Sequence, residues 1–312
     1  MNKKSKSVSK KYATSMFGTV GLCLILYCLF VLLMPLLLND LIEYLGSDAL
    51  ASFIPDLSIE DAKLSVTFIS LVLGTLLPFT LLMTSNGIKF KDFMGKANTN
   101  IRDVVINFVV FFAVAALSIF VTMMIAQNIN IPGEIVSSIG IAINTEYISS
   151  VTYVVAFIFV TPILEEFAFR GVLLSSLSKY GKYFAVIISS FIYALAHGSF
   201  VEMIPSFIMG IFLSKMAIKY ESIRPCIAVH FFFNLFLYGL FMIPDELSLY
   251  MEIALGVMLI LALVLVVTKE YNGIAIKRAE STSNAVLVFF ATTPVILAIV
   301  LFVVHSVLLM IL

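Results

Sequence analysis

The stretch Thr161-Pro162-Ile163-Leu164-Glu165-Glu166-Phe167-Ala168-Phe169-Arg170-Gly171 puts two carboxylates and a guanidinium at the end of an apolar run that begins near residue 148. Charged side chains inside a membrane span cost about 2.5 to 3.5 kcal/mol each on insertion scales, so they mark a site whose charges have partners. Two other groups in apolar surroundings are candidates for those partners. One is His197 in Tyr193-Ala194-Leu195-Ala196-His197, and the other is His230 with Asn234 in His230-Phe231-Phe232-Phe233-Asn234. The third histidine, His305, lies in an apolar C-terminal run far along the chain from these motifs and reads as a packing or interfacial residue.

The chain around this stretch is lipid-soluble in character. Of its 312 residues 61% are hydrophobic and 12% charged, with a mean hydropathy of +1.10. Soluble domains run at about 45–50% apolar and about 25% charged, so a soluble globular protein is excluded. The three cysteines, Cys23, Cys28 and Cys226, sit in apolar runs without CxxC or zinc-finger spacing and read as small core residues. The basic N-terminus, with Lys3, Lys4, Lys6, Lys10 and Lys11, precedes an apolar run over 13–38. That run exceeds the 7 to 15 residues of a signal-peptide core, and the small-x-small triplet Ala49-Leu50-Ala51 lies well past it, so an uncleaved first span is expected.

Apolar segments suited to helices of about 20 residues lie near 13–38, 65–84, 103–126, 148–164, 183–197, 203–219, 225–243, 249–268 and 285–311. The fifth is short and the sixth holds Pro205 and Gly210, which makes eight or nine spans. Lys89, Lys91, Lys96 and Arg102, then Lys179 and Lys182, then Lys215, Lys219 and Arg224, then Lys269, Lys277 and Arg278 alternate with acidic connections. Those carry Asp40 to Asp61, then Glu134 and Glu146, then Glu202, then Asp245 and Glu246. The positive-inside rule places the basic set, and the N-terminus, in the cytoplasm. The segment Asn39 to Lys63, with Gly46, Pro55 and six acidic residues, reads as an external loop with room for a short interfacial helix.

Glycine after the last helical residues is the expected stop. A helix continuing past Arg170 to Lys179 would therefore turn at Tyr180-Gly181 and return from Lys182. Glu165 and His197 then reach equal heights, about 23 Å from the turn at 1.5 Å per residue. Glu166 and Arg170 stand i,i+4 with the acid first, the favourable order for a helical ion pair, which assigns them to holding the helix. Glu165 is left for chemistry, as a general base acting on water. His230 and Asn234, again i,i+4, share one face; they suit donation to a developing oxyanion, and the imidazole alternatively suits a metal. The plainer reading makes each histidine a packing residue and Asn234 interhelical glue.

Taken together these residues resemble the CAAX protease and bacteriocin-processing (CPBP, also called Abi) family of intramembrane proteases. Its EExxxR motif is met by Glu165, Glu166 and Arg170; its FxxxH motif is met with Tyr193 in the phenylalanine position before His197; its HxxxN motif is met by His230 and Asn234. The match runs from Thr161 to about Phe236. The resemblance implies an all-α polytopic bundle around an intramembrane polar cavity. It also implies peptide-bond hydrolysis in which Glu165 activates water, with His197, His230 and Asn234 catalytic and Glu166, Arg170 and Tyr193 supporting them. A divalent metal such as zinc at Glu165, His197 and His230 is left open by the resemblance, since the family has been described as both metal-dependent and glutamate-based.

The expected organisation is a basic cytoplasmic N-terminus (1–12), N-terminal spans (13–147), a CPBP-like catalytic core (148–243) and C-terminal spans (244–312). The expected protein is a multi-pass cell-membrane endopeptidase. Its partners are the lipid bilayer and a membrane-associated peptide or protein, with no nucleic acid. The alternatives are a non-catalytic immunity or scaffold protein of the same family and, with less support because no inverted repeat is evident, an ion-coupled transporter.

Overall fold

The computed structural model describes residues 10–54, 57–128, 154–242, 247–271, 274 and 285–311. Lys3, Lys4, Lys6, Glu134, Glu146, Asp245, Glu246, Lys277 and Arg278 lie outside the described residues, as do the junctions at 147/148 and 243/244. Among the described residues the only regular structure is helical.

Helix α1 (Lys10–Tyr27) runs through a π-helical stretch, Cys28–Leu33, into α2 (Met34–Phe53). Then come α3 (Ile59–Ser85), the short α4 (Lys91–Met94) and α5 (Ile101–Asn128). A second continuous rod consists of a π stretch, Val155–Val160, then α6 (Thr161–Glu165), a π stretch, Glu166–Leu173, and α7 (Leu174–Ser178). After it come α8 (Lys182–Ala196), α9 (Phe200–Tyr220), α10 (Arg224–Met242), α11 (Ser248–Val267), α12 (Ala285–Phe290) and α13 (Thr293–Ile311). Over the described residues, each of the nine apolar segments lies largely on helix. The stretches Lys11–Leu50, Ile59–Ser85, Ile101–Thr122 and Glu202–Tyr220 are long and apolar enough to cross a membrane, and Lys182–Ala196, Ile253–Val267 and Thr293–Leu309 are shorter apolar helices. Leu249, Ile253, Ile260, Leu263 and Val267 of α11 stand exposed, a row of side chains suited to lipid rather than water.

The segment Asn39 to Lys63 holds more helix than the short interfacial piece expected. Gly46, at φ 74 and ψ 174, is a non-helical kink that divides α2 into two helical pieces. The connection narrows to the few residues before Ser58, whose side chain accepts from the Asp61 amide at 3.0 Å and so caps α3. Glu60 and Asp61 fill the first turn of that helix, where the macrodipole favours acids.

The basic connections meet one another. Lys179 Nζ donates to the Asn86 carbonyl at 2.9 Å, the Asn98 amide donates to the Tyr220 carbonyl at 3.0 Å and the Ile223 amide to the Phe93 carbonyl at 2.9 Å. Arg102 pairs with Glu270. These contacts gather the lysine- and arginine-bearing loops at one end of the bundle, as their charge pattern implies. Glycines let helices cross closely, as is usual where lipid supplies no hydrophobic drive between them. A Cβ at Gly21 would lie 2.5 Å from the Pro294 carbonyl carbon, one at Gly210 2.9 Å from Ser190 Cβ, and one at Gly171 2.8 Å from the Phe93 ring.

Candidate active site

The rod that carries Glu165 and Glu166 turns back where the sequence suggests. Helix α7 ends at Ser178, Gly181 takes φ 127, a backbone conformation that side-chain-bearing residues rarely adopt, and α8 begins at Lys182. The rod's backbone was not foreseen. On either side of α6 it is π-helical, with the Thr161 amide bonded to the Ala156 carbonyl and the Leu174 amide to the Phe169 carbonyl. Such i→i+5 segments widen the helix and occur disproportionately at functional sites.

The π register explains where Asn234 goes. Pro162 has no N–H, and in that register its missing donor would have served the Phe157 carbonyl. Asn234 Nδ2, from α10, donates to that oxygen at 3.0 Å. The buried amide thereby satisfies a backbone acceptor that the chain's own proline orphans, and it fastens α10 to the rod one turn after His230.

Glu166 is the hub of the buried side. Its Oε1 accepts from Arg170 Nη1 at 3.1 Å and from His230 Nδ1 at 2.9 Å. Glu166 is fully buried, Arg170 is 2% exposed and His230 4%. The guanidinium carbon lies 3.9 Å from the centroid of the Tyr193 ring, a cation–π contact in a desolvated setting. The hydroxyl distinguishes Tyr193 from the motif's phenylalanine. It is buried in the field of Glu165 without a hydrogen bond of ordinary geometry.

Glu165 is held differently. Its side chain keeps 17% exposure, its Oε2 lies 3.9 Å from His230 Nε2, beyond hydrogen-bond range, and that buried oxygen has no donor. His197 closes α8, and its Nδ1 lies 2.9 Å from the Tyr193 carbonyl. A carbonyl can only accept, so Nδ1 carries the proton and Nε2 keeps its lone pair in the neutral ring. Among neighbouring charges Glu165 acts most strongly on His197, with His230 also in range. Glu165, His197 and His230, from three separate helices, thus act on one another, while Asn234 lies one turn beyond His230 and is engaged with the Phe157 carbonyl.

Two residues that the sequence did not single out belong to its surroundings. Tyr27, at the end of α1, is buried against Phe79, Phe169 and Phe302 and lies within the field of Glu165. Glu202, in the first turn of α9, is close enough to Glu165 for the carboxylates to repel. The Ser199-x-x-Glu202 spacing of a capping box was the available signal, although the Ser199 side chain makes no capping bond.

The metal fit can be tested on the same geometry. Glu166 engages His230 Nδ1 and the Tyr193 carbonyl engages His197 Nδ1, which leaves the two Nε2 atoms and Glu165 as the atoms that would hold a divalent metal. Among the described residues no three His, Cys, Asp or Glu side chains stand grouped closely enough to hold one, and no step below runs through a metal.

This combination of helices and motifs defines a multi-pass membrane protein with a buried Glu–His constellation. Residues 147–236 match the family model described as type II CAAX prenyl endopeptidase Rce1-like, a family of proteases. The resemblance carried by the three motifs is therefore shown over that segment. No curated protein and no solved structure matches the chain.

Proposed function

We propose that this chain is an intramembrane endopeptidase that hydrolyses a peptide bond in a membrane-associated protein or peptide, with Glu165 as the base that activates water. The observation that carries the reading is the contrast at the Glu165–Glu166 pair. Glu166 has one oxygen engaged twice, by Arg170 and His230, and its other oxygen buried without a partner. Glu165 makes no hydrogen bond of ordinary geometry, keeps 17% side-chain exposure and faces an imidazole nitrogen at 3.9 Å. A water there would give its proton to Glu165 as its oxygen attacks the scissile carbonyl. The remaining N–H of Asn234 is assigned to the oxyanion that develops, joined by His230 Nε2 in the imidazolium form, since Nδ1–H is already given to Glu166. His197 Nε2 is assigned to relaying the proton to the departing amine as the C–N bond breaks, which leaves a carboxylate and an amine. Glu166, Arg170 and Tyr193 hold these groups in place.

The family match makes a prenylated CAAX peptide the first substrate class to try, with leader peptides and membrane regulators next. The clustering of the basic loops supports a cytoplasmic N-terminus in the cell membrane. The test uses full-length protein in lipid nanodiscs with a membrane-anchored peptide. The parent should cut it, and His197→Ala and His230→Ala should each lower turnover about 100-fold or more while keeping the helical spectrum. Equal cutting by parent and both variants would overturn the assignment. A chelator arm on the parent decides metal dependence separately.

A further inference from the structure

His305 does not stand apart from the site, as its place in the sequence suggests. It lies on α13, is 6% exposed, and its Nδ1 is buried without a partner. The edge of its ring rests on Gly198, the residue directly after His197. A Cβ at Gly198 would meet His305 Nε2 at 2.8 Å, His305 Cδ2 at 2.9 Å and Leu309 Cδ1 at 3.0 Å.

The segment it touches is a tight reversal held by short-range bonds alone. The His197 amide bonds to the Ala194 carbonyl at 3.2 Å, the Gly198 amide to the Leu195 carbonyl at 3.2 Å and the Ser199 amide to the His197 carbonyl at 2.9 Å. With Gly198 at φ 76, the last of these closes a γ-turn of the rare, strained kind. Ser199 adds no side-chain cap, and its buried hydroxyl is unpartnered. The His197 ring is tied to α8 by its Nδ1 bond to the Tyr193 carbonyl and by its edge-to-face contact with the Tyr193 ring, so what an outside contact can steady is the backbone of the turn at residues 197–199. Helix α13 can supply that contact, because it is anchored on α1 through the Gly21–Pro294 approach and through Val295, Ala298 and Phe302, all fully buried. An imidazole in an otherwise apolar span is costly in lipid, and a bare packing role would be met better by leucine.

We propose that His305 is a positioning residue, pressing on the Gly198 backbone so that the His197-Gly198-Ser199 turn keeps His197 directed at Glu165. Through it the C-terminal span, which lies outside the family match, sets the geometry of the site. The inference rests on the functional reading above for its kinetic arm only.

The experiment combines hydrogen exchange with kinetics on the full-length protein in nanodiscs. His305→Leu should speed amide exchange at residues 197–199 about tenfold or more and leave α10 protected. Turnover should fall about 10- to 100-fold with KM unchanged. His305→Gln, which can carry an amide nitrogen to the Nε2 position, should restore both to within a few-fold. In a His197→Ala background His305→Leu should lower turnover no further. If His305→Leu does not fold, His305→Met, unbranched and apolar, takes its place. Unchanged exchange at 197–199 overturns the inference, as does a Gln variant no better than Leu. Loss of protection across α10 in both apolar variants also overturns it, since His305 would then be a packing residue. Faster exchange with unchanged turnover, or in a parent that cuts nothing, upholds the positioning of the turn and instead removes His197 from the chemistry.

Discussion

Glu165 and Glu166 are neighbours in the chain with opposite circumstances. Glu166 is sealed in, with a guanidinium at 3.1 Å and an imidazole at 2.9 Å on one oxygen. Glu165 is partly exposed, its nearest imidazole nitrogen stands at 3.9 Å, and neither that ring nor the nearby Tyr193 hydroxyl gives it a hydrogen bond of ordinary geometry, whereas Glu166 leaves only its second oxygen without a partner. A buried charge with its partners in place contributes to a defined structure, and one without them is poised to bind a proton, a water or a substrate. Successive helical residues point about 100° apart, so two adjacent acids can serve two sides of one helix.

That contrast can be broken from the engaged side first. Glu166→Ala strands Arg170 in the interior and should cost about 3–5 kcal/mol, read as a large fall in the melting temperature in nanodiscs; a fall as small as that of a surface substitution would mean that the hub is dispensable. Asn234→Ala removes the side-chain donor to the Phe157 carbonyl and should cost about 1–3 kcal/mol. Pro162→Ala gives the π register its missing N–H, so in that background Asn234→Ala should cost less; strictly additive melting shifts would refute the proline argument. Smallest is Tyr193→Phe, which keeps the ring under Arg170 and removes only the hydroxyl. It should shift stability by less than about 1 kcal/mol and turnover by a few-fold, and a 100-fold loss would promote the hydroxyl to the chemistry.

Much of this was legible in the sequence because it depends on spacing. The turn at Gly181 and the i,i+4 pair of Glu166 and Arg170 follow from helical spacing and a glycine stop. Apolar patterning could not reveal the backbone register, since a π stretch and an α stretch of Val, Phe and Ile look alike. The engagement of Asn234 with Phe157 was therefore hidden, although Pro162 hinted at an orphaned carbonyl. The bond from His230 to Glu166 was missed because a side-chain direction across two helices has no sequence signature. His305 lies more than a hundred residues from His197, and only Gly198, small at the end of α8, hinted that something approaches there. Between Asn39 and Lys63 the helix is longer than the short interfacial piece expected, although Gly46 does break it, as a non-helical kink at φ 74.

The central claim concerns Glu165, and its most direct test is Glu165→Gln, which keeps volume and hydrogen-bonding capacity but cannot take a proton from water. Turnover of a membrane-anchored peptide and thermal melting are measured on the same nanodisc sample. The account predicts melting within about 2 °C of the parent and turnover lower by about 100-fold or more. Turnover within twofold of the parent, at unchanged melting, would contradict it.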